Sequence, residues 1–173
     1  MITDSTGLVH TLASILALAF GTWVLLGKKG DRRHKQIGYG YTFCMGICLI
    51  TSFFMYNLFG GFGIFHIFAL VSSATLLAGM VPIFRRKPNN FISLHYNFMY
   101  WSVIGLYGAF LAEILTRIPP LVIKDQEILP LFFGLVGVAV FIVMGLGYYF
   151  ISRKRQDWSK FEHYGRNQTS GSR

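Results

Sequence analysis

The chain has 173 residues, the size of one ordinary domain. Hydrophobic residues make up 53 % and charged residues 13 %, against about 25 % charged in a soluble domain, and the mean hydropathy is +0.49; this argues against a soluble globular protein and against disorder. Lys and Arg outnumber Asp and Glu by 16 to 7, a formal charge of +9, and the placement of those charges decides what they mean.

The opening MITDSTG carries no basic residue, so the first apolar run is expected to stay in the protein rather than be cleaved as a signal peptide. Ser5 or Thr6 is the expected N-cap of its helix. That run is Leu8–Leu26, followed by KKGDRRHK, Lys28–Lys35. The second run, Ile37–Phe59, ends in a short glycine turn, Gly60–Gly63. The third, Ile64–Phe84, ends at RRKPNN, where Pro88 forbids helix continuation. The fourth, Phe91–Leu115, leads into Thr116–Pro130, which contains Pro119-Pro120 and KDQE. Within it, LVIKDQEILP is amphipathic and is expected to lie on the outer surface as a lid, an interfacial segment or a docking site for a partner. The fifth run, Leu131–Ile151, precedes a tail that begins Arg153-Lys154-Arg155.

Each run is long enough to cross about 30 Å of hydrocarbon at about 1.5 Å per residue. Backbone groups in lipid must be paired within the segment, so the runs are expected to be helices. The expected fold is therefore an all-α, polytopic integral membrane protein with five transmembrane helices, four forming a bundle core and the fifth alongside. One transmembrane domain is expected over residues 1–152, and a flexible basic cytoplasmic tail over residues 153–173.

The basic residues divide unevenly. Five-span topology puts 14 of the 16 Lys and Arg on one side, with only Arg117 and Lys124 on the other. By the positive-inside rule the N-terminus lies outside and the C-terminus in the cytoplasm, in the cytoplasmic (inner) membrane. The net charge is thus a topology signal and an attraction to anionic headgroups of the lipid bilayer. Nucleic-acid binding is disfavoured, because no basic–aromatic interleaving occurs outside the apolar runs. No GxGxxG, P-loop or GxSxG motif is present.

Four of the five histidines sit near the starts of the first four helices: His10, His34, His66 and His95. Ionisable groups in membrane helices are costly and are functional candidates by default. Topology sorts these four into His10 and His66 in the outer layer, His34 and His95 in the inner layer. Each pair comes from helices that can face each other across a bundle core, where cofactors are held. Neutral imidazole is a ligand for haem iron and for zinc. His163 falls in the tail, as a solvated bystander.

Ser14, Ala17 and Gly21 share the His10 face at helical spacing. They leave room for a flat macrocycle, but close helix packing in lipid is the favoured reading of these small residues taken alone. Glu113, the carboxylate nearest to helical core, is expected in the outer layer. It can pair with Arg117 one turn on, handle protons, or join His10 and His66 as a metal ligand. Cys44 and Cys48 lie one turn apart, where disulfide geometry is poor, and read as small buried hydrophobes. Trp23, Tyr39, Tyr41, Trp101 and Tyr148 toward one boundary, and Tyr56 and Tyr107 toward the other, read as interfacial anchors.

The strings HTLASILALAFG from His10, RRHKQIGYGY around His34, FGIFHIFAL around His66 and SLHYNFMYWS around His95 resemble the four-helix core of the ascorbate-type di-haem transmembrane b cytochromes. The chain also resembles a family of small uncharacterised bacterial membrane proteins, with HKQIGYGY opening one helix and HYNFMYWS as a loose counterpart of an HRxWM-like motif. Tyr96 stands where that family tends to have Arg. The cytochrome resemblance covers about residues 7–117 and implies haem b ligated by His10 with His66 and by His34 with His95. Arg32, Arg33 or Arg86 would lie near the inner propionates, and a quinone or redox protein would exchange electrons. The alternatives are a zinc site from His10, His66 and Glu113, and a cofactor-free binding or structural membrane subunit.

Overall fold

The computed structural model contains five α-helices: α1 Ser5–Leu26, α2 Arg32–Ser52, α3 Ile64–Arg85, α4 Phe91–Arg117 and α5 Ile128–Ser170. It describes residues 5–55, 61–87, 89–117 and 128–170, with side chains for 5–55, 61–87, 89–115 and 130–153. Tyr56, Pro88 and the surface segment from Leu121 to Glu127 lie outside the described residues. Four helical stretches are long and apolar enough to cross a membrane: Ser5–Leu26, Ile64–Arg85, Phe91–Leu115 and Pro130–Arg153.

The α2 helix is not among them, a difference from the expected five spans. The apolar run Ile37–Phe59 is not helical throughout, because α2 ends at Ser52 and residues 53–54 form a turn. Its first turn instead recruits Arg32, Arg33 and Lys35. The apolar helical part, residues 37–52, is therefore only about 24 Å long. At the other end of the chain, α5 continues through the basic tail to Ser170, where a flexible segment was expected. The stretch from Lys154 to Ser170 contains no proline to break the helix.

The chain divides into two compact units, Met1–Leu77 and Ala78–Arg173, with the division falling inside α3. In the first unit α1 and α2 pack as a hairpin. Gly7, Ala13, Ala17 and Gly21 are the buried residues of α1, and Tyr41, Cys44, Met45, Cys48 and Leu49 those of α2. Small residues on one helix admit bulky ones on the other. A Cβ on Gly40 would lie 3.3 Å from the Phe20 ring, so the helices meet closely there. Lipid chains are as apolar as Leu, so this packing rests on van der Waals contact rather than on escape from water. Ala17 and Gly21 thus serve packing. Tyr41 is fully buried and is not the interfacial anchor expected of it, because it lies on the packed face of α2.

The turn between these helices is closed by local chemistry. Gly27 N–H donates to Trp23 O at 2.7 Å, and Lys29 Nζ reaches Val24 O and Leu25 O. A cation thereby covers the carbonyl end of α1, where the helix dipole favours it. Gly30 has φ +83°, a backbone that L side chains rarely adopt. Asp31 then caps α2, its Oδ1 accepting from His34 N–H at 2.7 Å.

In the second unit α4 packs along α5. Val103, Leu106, Ala112, Phe132, Val136 and Ala139 are buried. Helix α4 approaches α5 at Gly147, where a Cβ would lie 2.8 Å from Ile104 Cγ2 and 3.3 Å from the Trp101 ring. It also approaches the last turns of α3 at Gly79, where a Cβ would lie 2.8 Å from Met99 Sδ and 3.3 Å from Met99 N. At Gly147 a Cβ would press on a branched side chain and an indole ring, whereas at Gly79 it would press chiefly on the flexible end of Met99.

Candidate functional site: four helix-start histidines

The four histidines do not share one local design. His10, on the second turn of α1, is half-buried against the end of α2. Its Nδ1 is 3.1 Å from Cys48 O and 3.0 Å from Thr51 Oγ1. A carbonyl can only accept, so the nitrogen facing it carries the proton. The Thr51 hydroxyl gives its own hydrogen to Ile47 O at 2.8 Å, which leaves a lone pair for the shared Nδ1–H. In the neutral ring the lone pair is then on Nε2. Cys48 Sγ lies 3.9 Å from Nδ1 and 4.0 Å from Nε2. Such near-equal distances place the sulfur away from the in-plane axis of the Nε2 lone pair, so the thiol packs on the ring rather than sharing a ligand with it.

His95, on the second turn of α4, repeats the pattern in the second unit. Its Nδ1 donates to Gly79 O at 2.8 Å, again leaving the lone pair on Nε2. The acceptor lies three residues before Pro82, which sits inside α3. Proline has no N–H for the carbonyl of Ala78 and its ring crowds that turn. The absence of a side chain on Gly79 lets the imidazole reach the backbone.

His66 is built the other way round. It is buried, with 4 % exposure, on the first turn of α3. Its Nδ1 accepts from Gly63 N–H at 3.1 Å, while its own N–H donates to Gly63 O at 3.0 Å. This is the return half of a capping box, with histidine in the place of Glu or Gln and the Gly63 backbone carbonyl in place of an N-cap side chain. An accepting Nδ1 puts the proton of the neutral ring on Nε2. The ring also stacks on Phe62, with centroids 4.9 Å apart. His34 lies in the first turn of α2, its N–H held by Asp31 and its Nδ1 buried.

His10, His34 and His66 belong to the first unit, His95 and Glu113 to the second. Glu113 is half-buried on α4; the Arg117 side chain lies outside the described residues. Among the described residues no three His, Cys, Asp or Glu side chains come together as a metal-binding group. Both cysteines are buried and outside any disulfide.

Several partners could not be read from spacing alone. Thr51, Gly63 and Gly79 act on the histidines through a hydroxyl, a backbone amide and a backbone carbonyl. Tyr100, 93 % buried, donates to Gly147 O at 2.7 Å across the α4–α5 crossing. Only Gly79 had a signal, its position just before a proline within a helix.

Long apolar helices, basic connectors and buried polar residues directed at neighbouring backbone define a multi-helix membrane protein. The chain belongs to the family described as predicted membrane protein (DUF2306), whose family model matches residues 7–151. No curated protein and no solved structure matches the chain.

Proposed function

We propose that the protein is a b-type haem electron carrier of the cytoplasmic membrane, with its N-terminus outside and its C-terminus inside. The observation that supports this reading is the tautomer of His10 and His95. Each holds Nδ1–H against a backbone carbonyl and so directs its lone pair to Nε2, the arrangement used by metal-bound histidines. In the five-span reading, one of them falls in each layer, His10 outside and His95 inside. His34 would complete the inner pair and His66 the outer pair. A b haem, when bound, supplies a one-electron centre, and a quinol or a redox protein is the class of partner that exchanges electrons with it. His66 can bind iron through Nε2 only if its proton moves to Nδ1, which releases Gly63 N–H.

The topology follows from charge. Lys28–Lys35, Arg85–Lys87 and Arg153–Arg155 share one side only if α2 crosses the bilayer in spite of its short apolar part. Tilt, local thinning and snorkelling of Arg32 and Lys35 can accommodate that shortness.

The test is the visible spectrum of the protein purified from haem-replete cells, oxidised and then reduced with dithionite. A sharp reduced b-type spectrum with two haems per chain is expected. A colourless protein overturns the proposal.

A further inference from the structure

We infer that the outward face of α2 holds one anionic phospholipid, its headgroup on Arg32 and Lys35 and an acyl chain along Tyr39, Phe43, Gly46 and Ile50. These six residues recur at helical spacing and so form one stripe. It is opposite in character to the face of Tyr41, Cys44, Met45, Cys48 and Leu49 buried in the first unit. Arg32 and Lys35 are exposed. Tyr39, Phe43 and Ile50 are 54 %, 70 % and 63 % exposed. Between the last two, a Cβ on Gly46 would meet nothing within 4 Å, which leaves an open notch between two bulky side chains.

The order along the stripe is that of a phospholipid: cations, then an amphipathic tyrosine, then apolar surface with a groove. Arg32 to Gly46 spans about 21 Å of helix rise, close to one leaflet with its headgroup layer, about half of 40–45 Å. Asp31, the one carboxylate of the turn, and Lys29 are already engaged. Asp31 caps His34 N–H and Lys29 covers the end of α1. Arg32 and Lys35 therefore face the headgroup layer without a carboxylate between them, and an anionic headgroup complements them. The inference rests on the placement of α2 in the bilayer in the proposed topology.

The experiment is native mass spectrometry of the full chain released from nanodiscs of equal phosphatidylglycerol and phosphatidylcholine. One phosphatidylglycerol should be retained in preference to phosphatidylcholine. The double variant R32Q/K35Q should lose about thirtyfold in that retention, at about 1 kcal/mol per cation near the surface. Gly46→Leu should fill the notch and weaken retention of both lipids, with Phe43→Ala as an independent check on the apolar contact. R85Q/K87Q should behave as wild type. Equal retention of the two lipids, or an equal loss in R85Q/K87Q, overturns the site. Displacement of the lipid by millimolar inorganic phosphate also overturns it, since the apolar stripe would then contribute nothing. A nitroxide at Phe43→Cys, with Cys44 and Cys48 replaced by serine, tests the underlying placement separately. Quenching by a water-soluble nickel chelate in place of oxygen removes α2 from the bilayer, whatever lipid is retained.

Discussion

His95 Nδ1 lies 2.8 Å from Gly79 O, so a side chain at the start of α4 bonds to backbone in the last turns of α3. Five residues on, Tyr100 does the same to Gly147 on α5. One helix thus joins its neighbours through a half-buried histidine and a buried tyrosine, each directed at a glycine carbonyl. Two structural roles, close approach and hydrogen bonding, fall on the same glycines.

The two crossings should differ in tolerance. Gly147→Ala drives a methyl into Ile104, a branched side chain, and onto the Trp101 ring; a loss of about 1–3 kcal/mol is expected, as for overpacking generally. Gly79→Ala meets chiefly the flexible thioether of Met99 and should cost less. Thermal unfolding in detergent, followed by Trp fluorescence, ranks them; the reverse order would contradict the packing described.

Tyr100→Phe removes one buried hydroxyl and leaves the ring in place. Hydrogen bonds of this kind between membrane helices average about 0.6 kcal/mol. A small fall in thermal stability is expected, well below that of Gly147→Ala.

His66 separates cap from ligand. Gln can accept from Gly63 N–H as histidine does, whereas Leu cannot. His66→Gln should keep stability near wild type, and His66→Leu should lose about 1 kcal/mol. If His66 also ligates a haem, both variants lose the outer haem's spectrum equally. Stability and absorbance therefore report the two roles independently.

Under the haem proposal, His10→Ala and His95→Ala should each abolish one reduced b-type component and leave the other. Thr51→Val should retain the outer haem with an altered midpoint potential, because the His10 ring loses one of its two Nδ1–H acceptors. Redox titration of the purified protein distinguishes these results.

Topology is open to a direct check. Fusions of a fluorescent reporter and of a periplasmic phosphatase after Gly30, after Gly61 and at the C-terminus should report inside, outside and inside. The same side at Gly30 and Gly61 would mean that α2 does not cross.

The amino-acid sequence by itself determined the membrane class, four apolar spans and the positions of the charged connectors. Length and polarity are local properties, and lipid leaves a chain little choice but helix. The histidines at the helix starts were equally legible, as was the packing use of Ala17 and Gly21. Tertiary structure decided what each histidine does with its ring. Whether Nδ1 meets a carbonyl, as at His10 and His95, or an amide, as at His66, depends on which backbone atom lies beside it, and for His10 and His95 that atom comes from another helix. The burial of Tyr41 and the early end of α2 at Ser52 belong to the same class, because helix rotation and helix termination follow from packing and turn chemistry that hydropathy does not record.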